Sequence, residues 1–265
     1  MKRIVFFLIV TLLYSAPCFA GKRFTFVTVD FPPYYGENLP NKGWVSEVAI
    51  AALKARGYDE VEIRFIPWIK ALEDTQAGYY DALLGAYYTG ERADLYYFSA
   101  PIGQVRTGFF KRKDVGISFK ELTDLKKYKI GVVKGYATSK KFDSADYLTK
   151  VEVPNLDEGL KKLYNREIDL MADSRAVGKF RLKFLEKEIP GIRKEIVFIR
   201  PFLAMNKIYV AISKKATNAY RKLIDFNQGL RKIYFRGIFI KIKKKHKKCQ
   251  RQREKSYKEC VEEKS

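Results

Sequence analysis

The chain of 265 residues has one histidine, three cysteines and no uninterrupted run of 18 apolar residues. A single imidazole, His246, excludes a histidine-based triad and a histidine-rich metal centre. With no run long enough for a membrane-spanning helix, the mature chain is expected to be soluble outside the cytoplasmic membrane. Cys18 stands near the start, and Cys249 and Cys260 fall together near the end, so no disulfide framework runs through the body of the chain. An oxidising compartment permits a Cys249–Cys260 bond. A straight helix would hold those two sulfurs about 16 Å apart, so bridging requires that segment to turn back, and two unpaired or intermolecular thiols are the equal alternative. Acidic residues are scarce: 30 against 52 Lys and Arg, a net charge of +22. Charge alone suggests nucleic acid or an anionic membrane surface. Much of it sits in residues 241–265, with 11 Lys or Arg against 4 Glu. This reads as a solvated, frayed basic tail over 246–265, attraction to anionic lipid or cell-wall polymers being the alternative.

Residues 1–20, MKRIVFFLIVTLLYSAPCFA, place Lys2 and Arg3 before the apolar run Ile4 to Leu13 and end on small residues. That is the pattern of a secretory signal peptide, with Gly21 as the expected first mature residue. The run would span about 15 Å as a helix, half of a bilayer core. Pro17 before Cys18 speaks against a lipid anchor. The expected location is therefore periplasmic, which disfavours nucleic acid as a partner.

From Phe24 onward, short apolar strands alternate with amphipathic helices. FTFVTV (24–29), VEIRFI (61–66) and DALLGAY (81–87) read as strands. Between the first two, Val45, Val48, Ala49, Ala52 and Leu53 fall at helical spacing before Gly57, and Pro67 takes a first helical position. A second unit follows: YKIGVVKG (128–135), a helix from about Thr138, VEV (151–153), a helix capped by Asn155 with Glu158 three residues on, and IDLMAD (168–173). Extended segments at 96–112 and 207–213 join the units, and a last helix places Tyr220, Leu223, Leu230 and Tyr234 at helical spacing. The predicted fold class is α/β, two lobes with two hinge crossings and a ligand cleft between them at the carboxyl ends of the strands.

The order of segments resembles the bacterial extracellular solute-binding proteins of family 3, receptors for polar amino acids that feed ABC importers. The resemblance runs over about 24–243. It rests on DFPPYYG (30–36), PWIKAL (67–72), GYYDALLGAYYTGERADLYYFSAPI (78–102), DLKKYKIGVVKGYATS (124–139), REIDLMAD (166–173) and FNQGLRKIYFRGIFIKI (226–242). It implies a type II periplasmic-binding-protein fold, with lobe 1 formed by 21–105 plus 207–245 and lobe 2 by 106–206. It implies no cofactor, a small-molecule ligand, an ABC permease as partner, and a monomer.

The resemblance also names site residues. Arg92 occupies the place of the family's carboxylate-binding arginine, a role suited to a guanidinium's planar fork; the alternative is a surface arginine paired with Glu91 or Asp94. Asp173 resembles the acid that accepts from a ligand ammonium, and Asp169 reads as structural. Phe31 and Tyr34 would pack on the ligand, with Trp68 on the same wall. Thr89 and Gly85 belong to the Arg92 segment, and Thr138 lies where the family places a hydroxyl and backbone N–H groups for the carboxylate. Tyr136, Tyr87 and Tyr88 stand where small residues are usual, and Trp44-Val45 replaces a Phe-Asp pair, so the ligand's identity does not transfer. The competing functions are a ligand-sensing signalling protein and a dehydratase-like cleft enzyme using Asp173 or Glu47 as acid or base.

Overall fold

The computed structural model describes residues 21–249. The expected signal peptide (1–20) and Cys260 lie outside the described residues. Ten strands run β1 (Lys22–Thr28), β2 (Tyr58–Phe65), β3 (Ala82–Ala86), β4 (Tyr96–Phe98), β5 (Gly103–Arg112), β6 (Lys129–Val133), β7 (Thr149–Val153), β8 (Leu170–Ser174), β9 (Ile196–Phe198) and β10 (Ala204–Ser213). The α-helices are α1 (Trp44–Lys54), α2 (Trp68–Ala77), α3 (Gly90–Leu95), α4 (Lys140–Asp143), α5 (Leu156–Tyr164), α6 (Arg175–Glu188), α7 (Ile192–Glu195), α8 (Ala219–Phe235) and α9 (Ile238–Cys249).

In the first lobe β1 lies parallel to both β2 and β3, and the C-terminal half of β10 runs antiparallel to β3 and β4. In the second, β6 lies parallel to β7 and β8, while β5 runs antiparallel to β8 and β9. The lobes meet where β5 and β10 pair antiparallel, Gly103–Thr107 against Ala204–Ile208. β10 is thus a single long strand that pairs in both lobes, while β5 pairs with it at the crossing and continues into the second-lobe sheet. This two-lobed α/β architecture is the one the alternating pattern predicts.

Local chemistry explains the elements. The α1 face that carries Val45, Val48, Ala49, Ala52 and Leu53 is fully buried, at about 1.5–3 kcal/mol for each larger side chain. The Asn155 side chain accepts the Glu158 N–H at 3.0 Å and so starts α5. Asp81, the acid of the Gly-x-x-Asp-Ala segment, accepts the Thr25 N–H at 2.8 Å and pairs with Lys222, which ties β1 and α8 to the start of β3. Asp169 accepts the Lys129 N–H at 2.8 Å, a structural bond that ties β6 to the start of β8.

Three expectations are corrected. The helix expected from Thr138 shrinks to the single turn of α4, capped by the Ser139 side chain, because Phe142 alone of that turn is buried. In α8 the buried stripe is Ala219, Phe226, Gly229, Leu230 and Ile233; Tyr220 and Tyr234 are 62% and 59% exposed. The tail is not frayed from 246. α9 continues to Cys249, His246 and Cys249 are fully buried, and the His246 ring lies 2.8 Å from Glu47, which also pairs with Lys245 at 2.7 Å. Cys249 is disulfide-bonded, with a partner outside the described residues. A Glu on α1 therefore selects the docking of a helix whose composition alone suggests a solvated basic segment.

Candidate ligand cleft

The carboxyl ends of β1, β3, β6 and β8 converge between the lobes. They enclose a narrow cavity of about 40 Å³ lined from the first lobe by Phe31, Tyr35, Trp68, Gly85, Tyr87 and Arg92, and from the second by Tyr136, Thr138 and Asp173. A wider chamber of about 320 Å³ shares the walls Phe31, Tyr136 and Asp173.

Arg92 is set by a short local device. Thr89 caps α3, its hydroxyl accepting the Arg92 N–H at 3.1 Å. One guanidinium nitrogen donates to the Tyr87 carbonyl at 3.0 Å and the other to the Gly135 carbonyl of the second lobe, also at 3.0 Å. The guanidinium lies 5.5 Å from the Trp68 ring, and the Trp68 indole N–H donates to the same Gly135 carbonyl at 3.0 Å. Burial lowers the Arg92 pKa, opposed by Tyr96 and Asp143. It has no carboxylate partner at ion-pair distance among the described residues, so the surface pair with Glu91 or Asp94 is not formed. Two of the guanidinium's five N–H groups are engaged and three remain for another acceptor.

Asp173 ends β8 opposite Gly108 of β5 and is 4% exposed. Its Oδ1 accepts the Ser174 N–H, while Oδ2 is buried without a partner. Burial pushes this carboxyl up to about 7, against the lowering by the Ser174 bond. The Tyr87 hydroxyl is likewise buried without a partner. One wall thus holds an unpaired acceptor and one an unpaired hydroxyl, each of which costs about 1–3 kcal/mol while unmatched.

Aromatic rings form the rest. Phe31 stacks on Tyr34 and Tyr35, with centroids at 5.9 and 5.4 Å, and meets Tyr87 and Tyr136 edge-on at 6.4 Å each. Tyr136 also meets Trp68 edge-on at 6.1 Å. Gly85 has φ +94°, and a Cβ there would fall 2.3 Å from the Tyr35 hydroxyl, so only glycine lets Tyr35 seat against β3.

Six of the eight residues singled out from the sequence line this cavity: Phe31, Trp68, Gly85, Arg92, Thr138 and Asp173. Thr89 and Tyr34 do not. Thr89 holds the start of the Arg92 helix, and Tyr34 packs between Phe31 and Trp44. The Thr138 backbone N–H is occupied by Asp143, at 3.0 and 3.2 Å from its two oxygens, and the Thr138 carbonyl accepts from Asn206 at 2.7 Å. Sequence reasoning missed Tyr35 as lining and noted Tyr87 and Tyr136 only as bulky residues where small ones are usual. The signal was the doubled tyrosines at 34–35 and 87–88, of which one member of each pair turns inward. Glu47, the alternative acid, lies outside the cavity and is held by Lys245 and His246. No group of three or more His, Cys, Asp or Glu suited to a metal ion occurs among the described residues.

No curated protein matches the sequence. Solved structures share the fold. An arginine-binding protein of T. maritima, the P235GK mutant of ArgBP, superposes with a TM-score of 0.67 at 19% identity, covering 83% of this chain and 93% of the other. A histidine kinase sensor domain with similarity to periplasmic binding proteins gives 0.72 at 20% identity, over 85% and 96% of the two chains. An ancestral arginine-binding protein bound to arginine gives 0.68 at 24% identity, over 84% and 97%. The family pattern of the bacterial extracellular solute-binding proteins, family 3, matches residues 25–249. On that match, over most of its length, this chain belongs to the bacterial extracellular solute-binding proteins of family 3.

Proposed function

We propose that the protein captures a small amino-acid-like solute in the periplasm by closing its lobes around it, and hands that solute to an ABC permease. The observation that carries this reading is the pairing, across one cavity, of the Arg92 guanidinium from the first lobe with the unpartnered Asp173 oxygen from the second. A zwitterion supplies what each lacks: its carboxylate accepts from the free N–H edges of Arg92, and its ammonium donates to Asp173. Contacts to both lobes at once stabilise the closed state over the open one. The arginine-binding proteins whose fold this chain shares make basic amino acids the first ligands to try.

A thermal-shift screen against amino acids, polyamines and small carboxylates tests the reading. Ligand at a hundred times its dissociation constant adds about 2.7 kcal/mol, a rise of roughly 5–10 °C. We expect a hit among α-amino acids and its loss in Arg92→Ala and in Asp173→Ala, with both variants folded. A response only to carboxylates without an amine would remove the ammonium role of Asp173, and silence throughout would remove the receptor role.

A further inference from the structure

A second cleft lies within the second lobe, between α6, α7 and β9, and has a volume of about 350 Å³. Arg175, Lys179 and Lys183 of α6 border it, and Arg193 of α7 faces them. The three α6 residues recur every four positions, so they share one helix face about 6 Å apart in rise. Phe110 and Phe198 give the cleft an apolar floor, their rings packed edge-on at 4.9 Å.

The charge in this cleft is only partly compensated, by the electrostatic attraction between Glu186 and Arg193 at its edge. None of the four cations has a carboxylate at ion-pair distance among the described residues, and no acid lines the cleft. The nearby acids are committed elsewhere. Glu186 accepts the backbone N–H groups of Gly191 and Arg193, Glu188 pairs with Lys161, Glu195 with Arg112, and Asp157 with Arg181. Four cations held around one concavity repel one another and focus a positive potential into it. An anion with several oxygens relieves that repulsion and accepts charge-assisted hydrogen bonds from Lys and Arg on opposite walls.

We propose that this cleft is a second, phosphate-binding site, independent of the solute cleft and filled by a phosphate group that is either soluble or carried on a lipid headgroup. The apolar floor suits the uncharged part of a phosphate ester.

The test uses the full chain at physiological salt, with inorganic pyrophosphate as soluble probe and phosphatidylglycerol vesicles as lipid probe, phosphatidylcholine vesicles being the blank. The double variant Lys179→Gln/Lys183→Gln is compared with Lys244→Gln/Lys247→Gln, which removes the same charge from the exposed side of α9. We expect wild type and the α9 variant to bind one of the two phosphate probes alike, and the cleft variant to bind it at least tenfold more weakly, about the size of one charge-assisted hydrogen bond. Pyrophosphate binding assigns the soluble source, and vesicle binding without pyrophosphate binding assigns the headgroup. Equal loss in both variants, binding to phosphatidylcholine as strong as to phosphatidylglycerol, or no binding to either phosphate probe overturns the proposal.

Discussion

At the scale of residues, Asp173 has the most consequential chemistry. Its carboxyl is raised from 3.8 to about 7 by burial, so the folded state keeps a proton that the unfolded chain releases. The stability contributed by protonated Asp173 is therefore complete below about pH 4 and is lost as pH rises toward about 7. Replacing it by Asn removes this dependence. In thermal melts of the unliganded protein, the melting temperature of wild type relative to Asp173→Asn should fall between pH 4 and 7.5. A ligand ammonium favours the ionised carboxylate and reverses the preference. Affinity for an amino acid should then weaken as pH drops below 7, by up to about tenfold per unit, with proton release on binding. Calorimetry at pH 5.5 and 8, in two buffers of different ionisation enthalpy, measures both; a flat profile would detach the ligand's amine from Asp173.

The same scale shows why the motif was more informative than any one residue. Arg92 in Thr-Gly-Glu-Arg is legible as a cavity residue because Thr89 caps the turn that aims it, a purely local relation. Thr138 illustrates the limit. Its side chain lines the cavity, yet its N–H faces Asp143, five residues on, and no spacing rule decides whether an amide turns to a ligand or to its own chain.

Among elements, the contact of α1 with α8 is unusually close. A Cβ on Gly229 would fall 2.0 Å from the Ala52 carbonyl oxygen, which belongs to helix backbone and cannot step aside. Gly229→Ala should therefore cost about 1–3 kcal/mol as the helices separate. Gly90→Ala, where nothing lies within 4 Å, is the control and should be neutral or slightly stabilising. Equal melting temperatures for the two would mean that α8 has room to shift. The docking of α9 depends on Glu47. Burial opposes ionisation there, but hydrogen bonds from His246, Lys245 and Asn41 outweigh it and lower the carboxyl from 4.5 to about 2. Its stabilisation is present above about pH 4.5 and lost as pH falls toward 2. With the Glu47 side chain 20% exposed, Glu47→Gln should cost about 2 kcal/mol at pH 7, roughly 5 °C, and little at pH 2.5. An unchanged melting point at pH 7 would show that α9 is held by its apolar contacts alone.

For the whole molecule, the Gly135 carbonyl is one point where polar groups join the lobes across the cleft, accepting from both Arg92 and the Trp68 indole. Trp68→Phe keeps the ring and deletes one donor. Since a hydrogen bond of this kind contributes about 1 kcal/mol net, ligand affinity should fall roughly five- to tenfold and the lobes should spread. Titration calorimetry gives the first and small-angle scattering of the liganded protein the second. Unchanged affinity and radius would show that closure depends on the ligand alone.

Local pattern along the chain already carries the alternation of strands and helices, the two units and the family, because hydrophobic periodicity, caps such as Asn155 and motif order act over a few residues at a time. It also brought six of its eight chosen residues to one cavity. Long-range packing settles what depends on phase and on the approach of distant segments. Which tyrosine of each pair turns inward is set by a one-residue change of side, and Tyr35, Tyr87 and Tyr136 meet only because three strand ends converge. The buried face of α8, the seating of His246 on Glu47 and the gathering of Arg175, Lys179, Lys183 and Arg193 around one cleft likewise follow from which surfaces the fold brings together. Those partners lie tens to hundreds of residues apart, where local pattern carries no information and packing and charge pairing select the arrangement.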